Sequence, residues 1–318
     1  MAQTIEIIVN TSELTAGTRG ASLGPGAIMA AARNQNNPLF GTVPWHPLPD
    51  FNHYLDATIT TPFAKRIDGY AEVFHAISAK TTELLNQGKF PLVLAADHGS
   101  AAGTIAGIKQ ALPNKRLGVI WIDAHGDLHS PYTTPSGNMH GMPLSIALAD
   151  DNKEAGHNIP DEHTVSVWNA LKNAGGMTPK INANDLVFVA VRDTEAEEEA
   201  LIERRQIVNH SVELLRRQGV PAIVTAINEQ LNDCDAIYIS FDVDAMDPEL
   251  TSFGTGTPVG NGITPEEARE LLVSLAANPK TVCIEFVEVN PCLDNKVNTM
   301  AETALSLITA VVDTLTHN

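Results

Sequence analysis

The sequence predicts an α/β fold in three layers, with helices covering both faces of a central, mostly parallel sheet. Two observations predict it. Short apolar runs bounded by turn residues alternate with longer helical patterns along the chain, the alternation that builds a parallel sheet through helical crossovers. The runs are apolar almost throughout, as in strands buried on both faces.

In chain order, the first candidate strand is 5–9, followed by the turn residues Gly17 to Gly20 and Gly24-Pro25. These glycines match neither the GxGxxG nor the Walker spacing of nucleotide-binding loops and read as a turn near the rim of a site. Further strands are expected at 91–96, 117–122, 186–191, 236–241 and 282–287, with helices at 70–87, 194–205, 211–218 and 265–277. The most polar interruption, 150–163, reads as an exposed loop. A last helix is expected at 300–315, where Leu305, Leu307, Ile308, Val311 and Val312 supply a packing face. No repeat, low-complexity segment or long linker divides the chain, so one domain over 1–318 is expected.

Composition narrows the function. The 318 residues carry 20 Lys+Arg against 38 Asp+Glu, a net charge of −18, and are 43% hydrophobic and 18% charged. That content builds a sizeable core and excludes a disordered chain. Nucleic acid and anionic membranes are recognised by clustered Lys and Arg, which this chain lacks. A negative field instead concentrates cationic ligands. Three cysteines (Cys234, Cys283, Cys292) without CxxC spacing fit a reducing compartment. Neither a basic leader nor an apolar stretch of roughly 18 residues is evident, so a cytoplasmic location is expected.

Three strand ends carry chemistry. The strand at 91–96 runs into Asp97-His98, that at 117–122 into Asp123, His125 and Asp127, and that at 236–241 into Asp242 and Asp244. Ligands of open α/β sheets bind beyond the carboxyl ends of strands, and i, i+2, i+4 spacing keeps side chains on one side of an extended segment. Taken singly, an Asp-x-Asp or a lone His is a turn, a cap or a satisfied core residue. Three together at three strand ends mark a site of four carboxylates and two imidazoles: His98, Asp123, His125, Asp127, Asp242 and Asp244. Four carboxylates around one divalent ion leave excess negative charge at a partly buried place, whereas two ions balance them. Oxygen-rich ligation without thiolate favours a harder ion, Mn²⁺ ahead of Zn²⁺, and paired ions activate water for hydrolysis.

These blocks resemble the ureohydrolase (arginase/agmatinase) family, its arginase branch most closely. The matching segments are Ala96-Asp97-His98-Gly99-Ser100, Asp123-Ala124-His125-Gly126-Asp127, Ser136-Gly137-Asn138-Met139-His140-Gly141, Asp242-Val243-Asp244, Gly254-Thr255-Gly256-Thr257-Pro258 and Glu288-Val289-Asn290-Pro291. The similarity spans most of the chain and thins over 29–89 and 203–232. The resemblance implies an arginase-like fold and one metal held by His98, Asp123, Asp127 and Asp242. It implies a second held by His125, Asp123, Asp242 and Asp244, with Asp123 and Asp242 bridging. It makes Asp127 a proton relay, His140 a proton shuttle and Glu288 the acceptor of the substrate guanidinium. It places Ser136 and Asn138 at a substrate α-carboxylate and Thr257 in the pocket wall. Asp97 is expected either to orient the His98 ring or to cap the strand end.

Two residues depart from the arginase pattern. His129 stands where an Asn helps bind the amino-acid end, and Glu195 where an Asp binds the α-ammonium. Glu195 keeps the charge but extends it by about 1.5 Å. Glu198 fits a second acidic position of the same loop; the whole cluster also reads as a first helical turn favoured by the helix dipole. The expected reaction is hydrolysis of L-arginine to L-ornithine and urea by attack of a metal-bridging hydroxide. The expected assembly is a homo-oligomer, a trimer or hexamer by the resemblance. Rival readings are another ureohydrolase (formimidoylglutamase, agmatinase or guanidinobutyrase), then a metal-dependent deacetylase or a non-catalytic scaffold.

Overall fold

The computed structural model describes residues 3–317. Its strands are β1 (Ile5–Asn10), β2 (Trp45–Pro47), β3 (Phe90–Ala95), β4 (Leu117–Ile122), β5 (Leu186–Val189), β6 (Val208–His210), β7 (Ala236–Asp242) and β8 (Thr281–Val287). They form one sheet in the order β2-β1-β3-β8-β7-β4-β5-β6, and every ladder is parallel. The helices are α1 (Gly24–Asn34), α2 (Leu39–Thr42), α3 (Ile67–Asn86), α4 (Ser100–Ala111), α5 (Pro143–Leu148), α6 (Glu162–Asn173), α7 (Ala196–Arg205), α8 (Val212–Gln218), α9 (Val220–Gln230), α10 (Pro265–Ala276) and α11 (Thr299–His317).

The apolar runs explain the layers. Along β4, Ile120 and Ile122 pack into one core with β7 residues Ile237, Ile239 and Phe241 and with α1 and α8 to α11. Val119 and Trp121 point the other way, into a core shared with α4, α5 and α7. Successive side chains of a strand face opposite sides, so a run that is apolar at every position demands a cover on both faces. Helix starts follow local chemistry: Thr264 and Glu267 form a reciprocal capping box ahead of Pro265 at the first turn of α10.

The structure departs from the sequence reading at several places. The expected strand 186–191 stops at Val189 because Ala190 adopts φ 69°, and Arg192 and Asp193 then turn back to donate to Ala124 O at 2.8 and 2.9 Å. The short edge strands β2 and β6 were not anticipated. Each pairs on one side only and mixes polar residues or proline into three positions, which is where a proline is tolerated. The segment 150–163 is not simply exposed. Asp150 and Asn152 are buried because Asp150 accepts from Arg204 and Arg205 and Asn152 donates to Glu197 O. Among the described residues, no helix is long and apolar enough to cross a membrane.

Candidate metal centre

Four adjacent central strands, β3, β8, β7 and β4, deliver their carboxyl ends to one place. His98 follows β3, Asp123 to Asp127 follow β4, Asp242 ends β7, and Glu288 follows β8. The turns that present them are held by their own side chains. Asp123 Oδ1 accepts the His125 N–H at 2.7 Å, and Asp242 Oδ1 accepts the Asp244 N–H at 2.8 Å. Asp244 Oδ1 takes the Ala124 N–H at 3.1 Å, tying the β4 and β7 turns together. Asp127 sits at φ 51°, which turns the chain at the end of the motif.

The six ligand candidates converge. His98 Nδ1 lies 2.9 Å from Asp123 Oδ2, 3.1 Å from Asp127 Oδ2 and 3.2 Å from Asp242 Oδ2. His125 Nδ1 lies 3.1 Å from Asp244 Oδ2 and 3.5 Å from Asp123 Oδ1. Two ligand groups result, His98/Asp123/Asp127 and Asp123/His125/Asp244, which share Asp123. Burial disfavours charge on His98, yet Asp123, Asp127 and Asp242 outweigh it and hold the imidazole well above its usual range. Burial, then Asp244 and Asp123, push the Asp242 carboxyl well up. Such crowding of carboxylates needs cations among them.

One detail tests the fit directly. His98 Nδ1 and Asp123 Oδ2 are both buried without a hydrogen-bond partner, although they face each other at 2.9 Å. A buried polar atom left unpaired costs about 1–3 kcal/mol, and two lone-pair donors aimed at one point suit a metal ion. The donor set of imidazole nitrogens and carboxylate oxygens fits two divalent cations.

Of the two readings of Asp97, the structure gives no contact with the His98 ring. Asp97 Oδ2 instead accepts the N–H groups of Thr15 and Ala16 at 2.9 and 3.2 Å, anchoring the loop after β1. Burial and Glu288 raise its carboxyl to about 6. The ring is set by Ser240 Oγ, 2.7 Å from Nε2, and by Trp121, stacked on it at 4.0 Å and 3°. Sequence reading assigned no role to Ser240, although it opens the matching block Ser240-Phe241-Asp242-Val243-Asp244, because a serine inside the run 236–241 looks like a tolerated core residue. Asp193, also missed, faces His125 Nε2 at 3.7 Å.

Above the centre lies a cavity of about 310 Å³. His98, His125, Asp127, His129, Ser136, Asn138, His140, Glu195, Glu198 and Thr257 all contribute to its wall. Thr257 Oγ1 donates to Asp244 Oδ2 at 3.1 Å, so it also braces a ligand candidate. Glu288, at φ 68°, is buried just behind this wall. Its Oε1 accepts the His98 N–H at 2.9 Å and lies 3.5 Å from His140 Nδ1. Burial disfavours the His140 imidazolium, but Glu288 outweighs it and raises the ring above its ordinary value.

The two departures from the arginase pattern touch each other. His129 Nε2 lies 3.1 Å from Glu195 Oε2, while its Nδ1 faces Thr133 Oγ1 at 3.2 Å. Glu198 is buried, accepts the Leu128 N–H at 3.0 Å and closes a capping box with Glu195 at the start of α7. Burial, then Glu195, push the Glu198 carboxyl well up. Glu195 is held below its usual value: burial opposes the charge, and Glu198 and His129 outweigh it. The two carboxyls are thus pushed apart, Glu195 downward and Glu198 upward. The cluster thus starts α7 and also lines the cavity.

The Arginase family profile matches residues 4–313. The arginase of Brevibacillus brevis is 34% identical, with 98% of each chain covered. That of Bacillus subtilis (strain 168) is 32% identical, again over 98% of both. The crystal structure of arginase from Bacillus subtilis subsp. subtilis strain 168 superposes with a TM-score of 0.80 at 31% identity, covering 98% of each chain.

Proposed function

The chain belongs to the arginase family and is a metal-dependent amidinohydrolase, and on that premise we propose that it hydrolyses L-arginine to L-ornithine and urea using two Mn²⁺ ions. The observation that carries the metal chemistry is the unpaired His98 Nδ1 and Asp123 Oδ2, buried where six ligand candidates converge. His98, Asp123, Asp127 and Asp242 would hold one ion, and Asp123, His125, Asp242 and Asp244 would hold the other. Bound there, the two ions lower the pKa of water and stabilise charge developing at the attacked carbon.

The residues around the ions supply the rest. Glu288 orients the guanidinium through its Oε2, because its Oε1 is occupied by the His98 N–H; a carboxylate facing a planar fork of N–H donors binds it with direction. Asp127 takes a proton from the attacking water and relays it to the leaving nitrogen. His140, whose ring Glu288 raises above its ordinary value, exchanges protons with solvent and helps protonate the leaving nitrogen as its bond to the guanidino carbon breaks. Ser136 and Asn138 donate to the α-carboxylate, and Glu195 accepts from the α-ammonium.

One observation favours a second reading. His129 sits 3.1 Å from Glu195, so the ammonium acceptor already has a partner, and a guanidino substrate with a different tail becomes the alternative. The deciding experiment strips the protein of metal and reloads it separately with Mn²⁺, Co²⁺, Ni²⁺, Fe²⁺ or Zn²⁺. Product release is then followed with arginine, agmatine, guanidinobutyrate and formiminoglutamate. The expected result is fastest urea release from arginine by the Mn²⁺ form. Preference for another substrate overturns arginine and leaves the metal chemistry standing. We further propose that 1–318 act as one catalytic domain, in a cytoplasmic homotrimer or hexamer.

A further inference from the structure

A substrate carboxylate entering this cavity meets acidic walls. Asp193 and Glu195 line it beyond the ligand candidates, whose charge bound ions would balance, and the His140 ring in the same wall is paired with Glu288. Ser136 and Asn138 offer hydrogen bonds but no positive charge, so a cation near them decides whether a carboxylate is welcome. The structure places one there. Lys65 Nζ donates to Asn138 Oδ1 at 3.2 Å.

That bond has two consequences. It fixes the amide with its oxygen on Lys65, leaving Nδ2 as a donor; the space beside Nδ2 is kept open by Gly17, where a Cβ would stand 2.7 Å from it. It also holds an ammonium beside the tip 136–138 without a carboxylate partner among the described residues. Two arginines of the neighbouring segments are committed to main-chain carbonyls. Arg19 donates to Glu13 O and Ala16 O, each at 3.0 Å, and Arg66 to Tyr54 O and Leu55 O at 3.1 and 3.4 Å.

The placement of Lys65 does not depend on its side chain. Its N–H donates to Gly137 O at 2.8 Å. Gly137 adopts φ 75°, and a Cβ there would meet Pro62 O at 1.8 Å, so the two segments interlock through main chain.

We propose that Lys65 is a specificity-determining residue, whose ammonium beside the Asn138 amide selects guanidino substrates that carry a carboxylate over those that lack one. This deepens the substrate reading above and rests on it. The test uses metal-loaded wild type, Lys65→Met and Lys65→Arg, with metal content measured in each. KM and kcat are determined for arginine and guanidinobutyrate, and for agmatine as substrate or competitive inhibitor.

Loss of one charge-assisted contact predicts that Lys65→Met raises the arginine KM about tenfold while kcat stays within about twofold. The agmatine constant stays level, and Lys65→Arg restores arginine binding. Equal losses for arginine and agmatine would assign Lys65 a merely structural role and overturn the proposal, as would no change at all. A wild-type enzyme active on arginine with unaltered variants overturns Lys65 alone. A wild type that accepts agmatine but neither carboxylate-bearing substrate overturns the arginine reading and the proposal together.

Discussion

Ser240 Oγ lies 2.7 Å from His98 Nε2, which fixes the ring with Nδ1 toward Asp123, Asp127 and Asp242. Groups that hydrogen-bond the far nitrogen of a metal-binding histidine fix its orientation and support metal affinity. Ser240→Ala is therefore expected to weaken binding of one of the two ions by about 10–100-fold. Competition with a chelator, followed by metal analysis, measures it. Retention equal to wild type at both sites would show that Trp121 stacking alone suffices.

Asp242→Ala removes a carboxylate from the point where His98 Nδ1 meets three of them, and Asp127→Ala removes another. Both variants are expected to lose bound metal and all measurable turnover. Two ions per chain in both variants would refute the ligand assignment.

His140→Ala should act differently. The ring faces Glu288 at 3.5 Å, and His140 is outside both metal groups. The expected outcome is intact metal content with kcat lowered about 10²–10⁴-fold, the range for loss of a proton-transfer group. Metal loss accompanying the fall in rate would move His140 into the binding shell.

Glu198 predicts a pH signature in stability. Its carboxyl stays protonated in the fold well above the pH at which an unfolded chain loses that proton. Between those two values the unfolded state binds fewer protons, so stability falls as pH rises. Glu198→Ala abandons the Leu128 N–H and is expected to cost about 1–3 kcal/mol at low pH. The gap in Tm from wild type should narrow from pH 5 to pH 8. A gap that widens with pH would mean that the ionised carboxylate is the form that stabilises.

The strand ends were legible because their chemistry is local. Asp123, His125 and Asp127 follow one apolar run at alternate positions, and Asp242 and Asp244 another, so residue type and spacing sufficed. What escaped depends on distant contacts. Asp97 carries no local sign that its carboxylate reaches Thr15 and Ala16 rather than the neighbouring ring. Lys65 lies in a stretch without a motif, and its place beside Asn138 is set by main-chain pairing with Gly137. Helix α4 was overlooked for a different reason. All but its last two residues are buried, leaving too little polar face to give the 3.6-residue alternation by which surface helices are recognised.

The order of the sheet sets a schedule for assembly. Strand β8 is the last in sequence, yet it inserts between β3 and β7, the strands that carry His98 and Asp242. Until residues 281–287 are in place, these two neighbours have nothing to pair with on their facing edges, and their ligand groups are not held in register. Such long-range closure is slow to nucleate, so the group that includes His98 is completed only when β8 is in place, whereas Asp123, His125, Asp242 and Asp244 follow β4 and β7, which pair directly. A chain that stops before residue 281 holds every candidate ligand carboxylate and imidazole but lacks the strand that brings His98 to the rest.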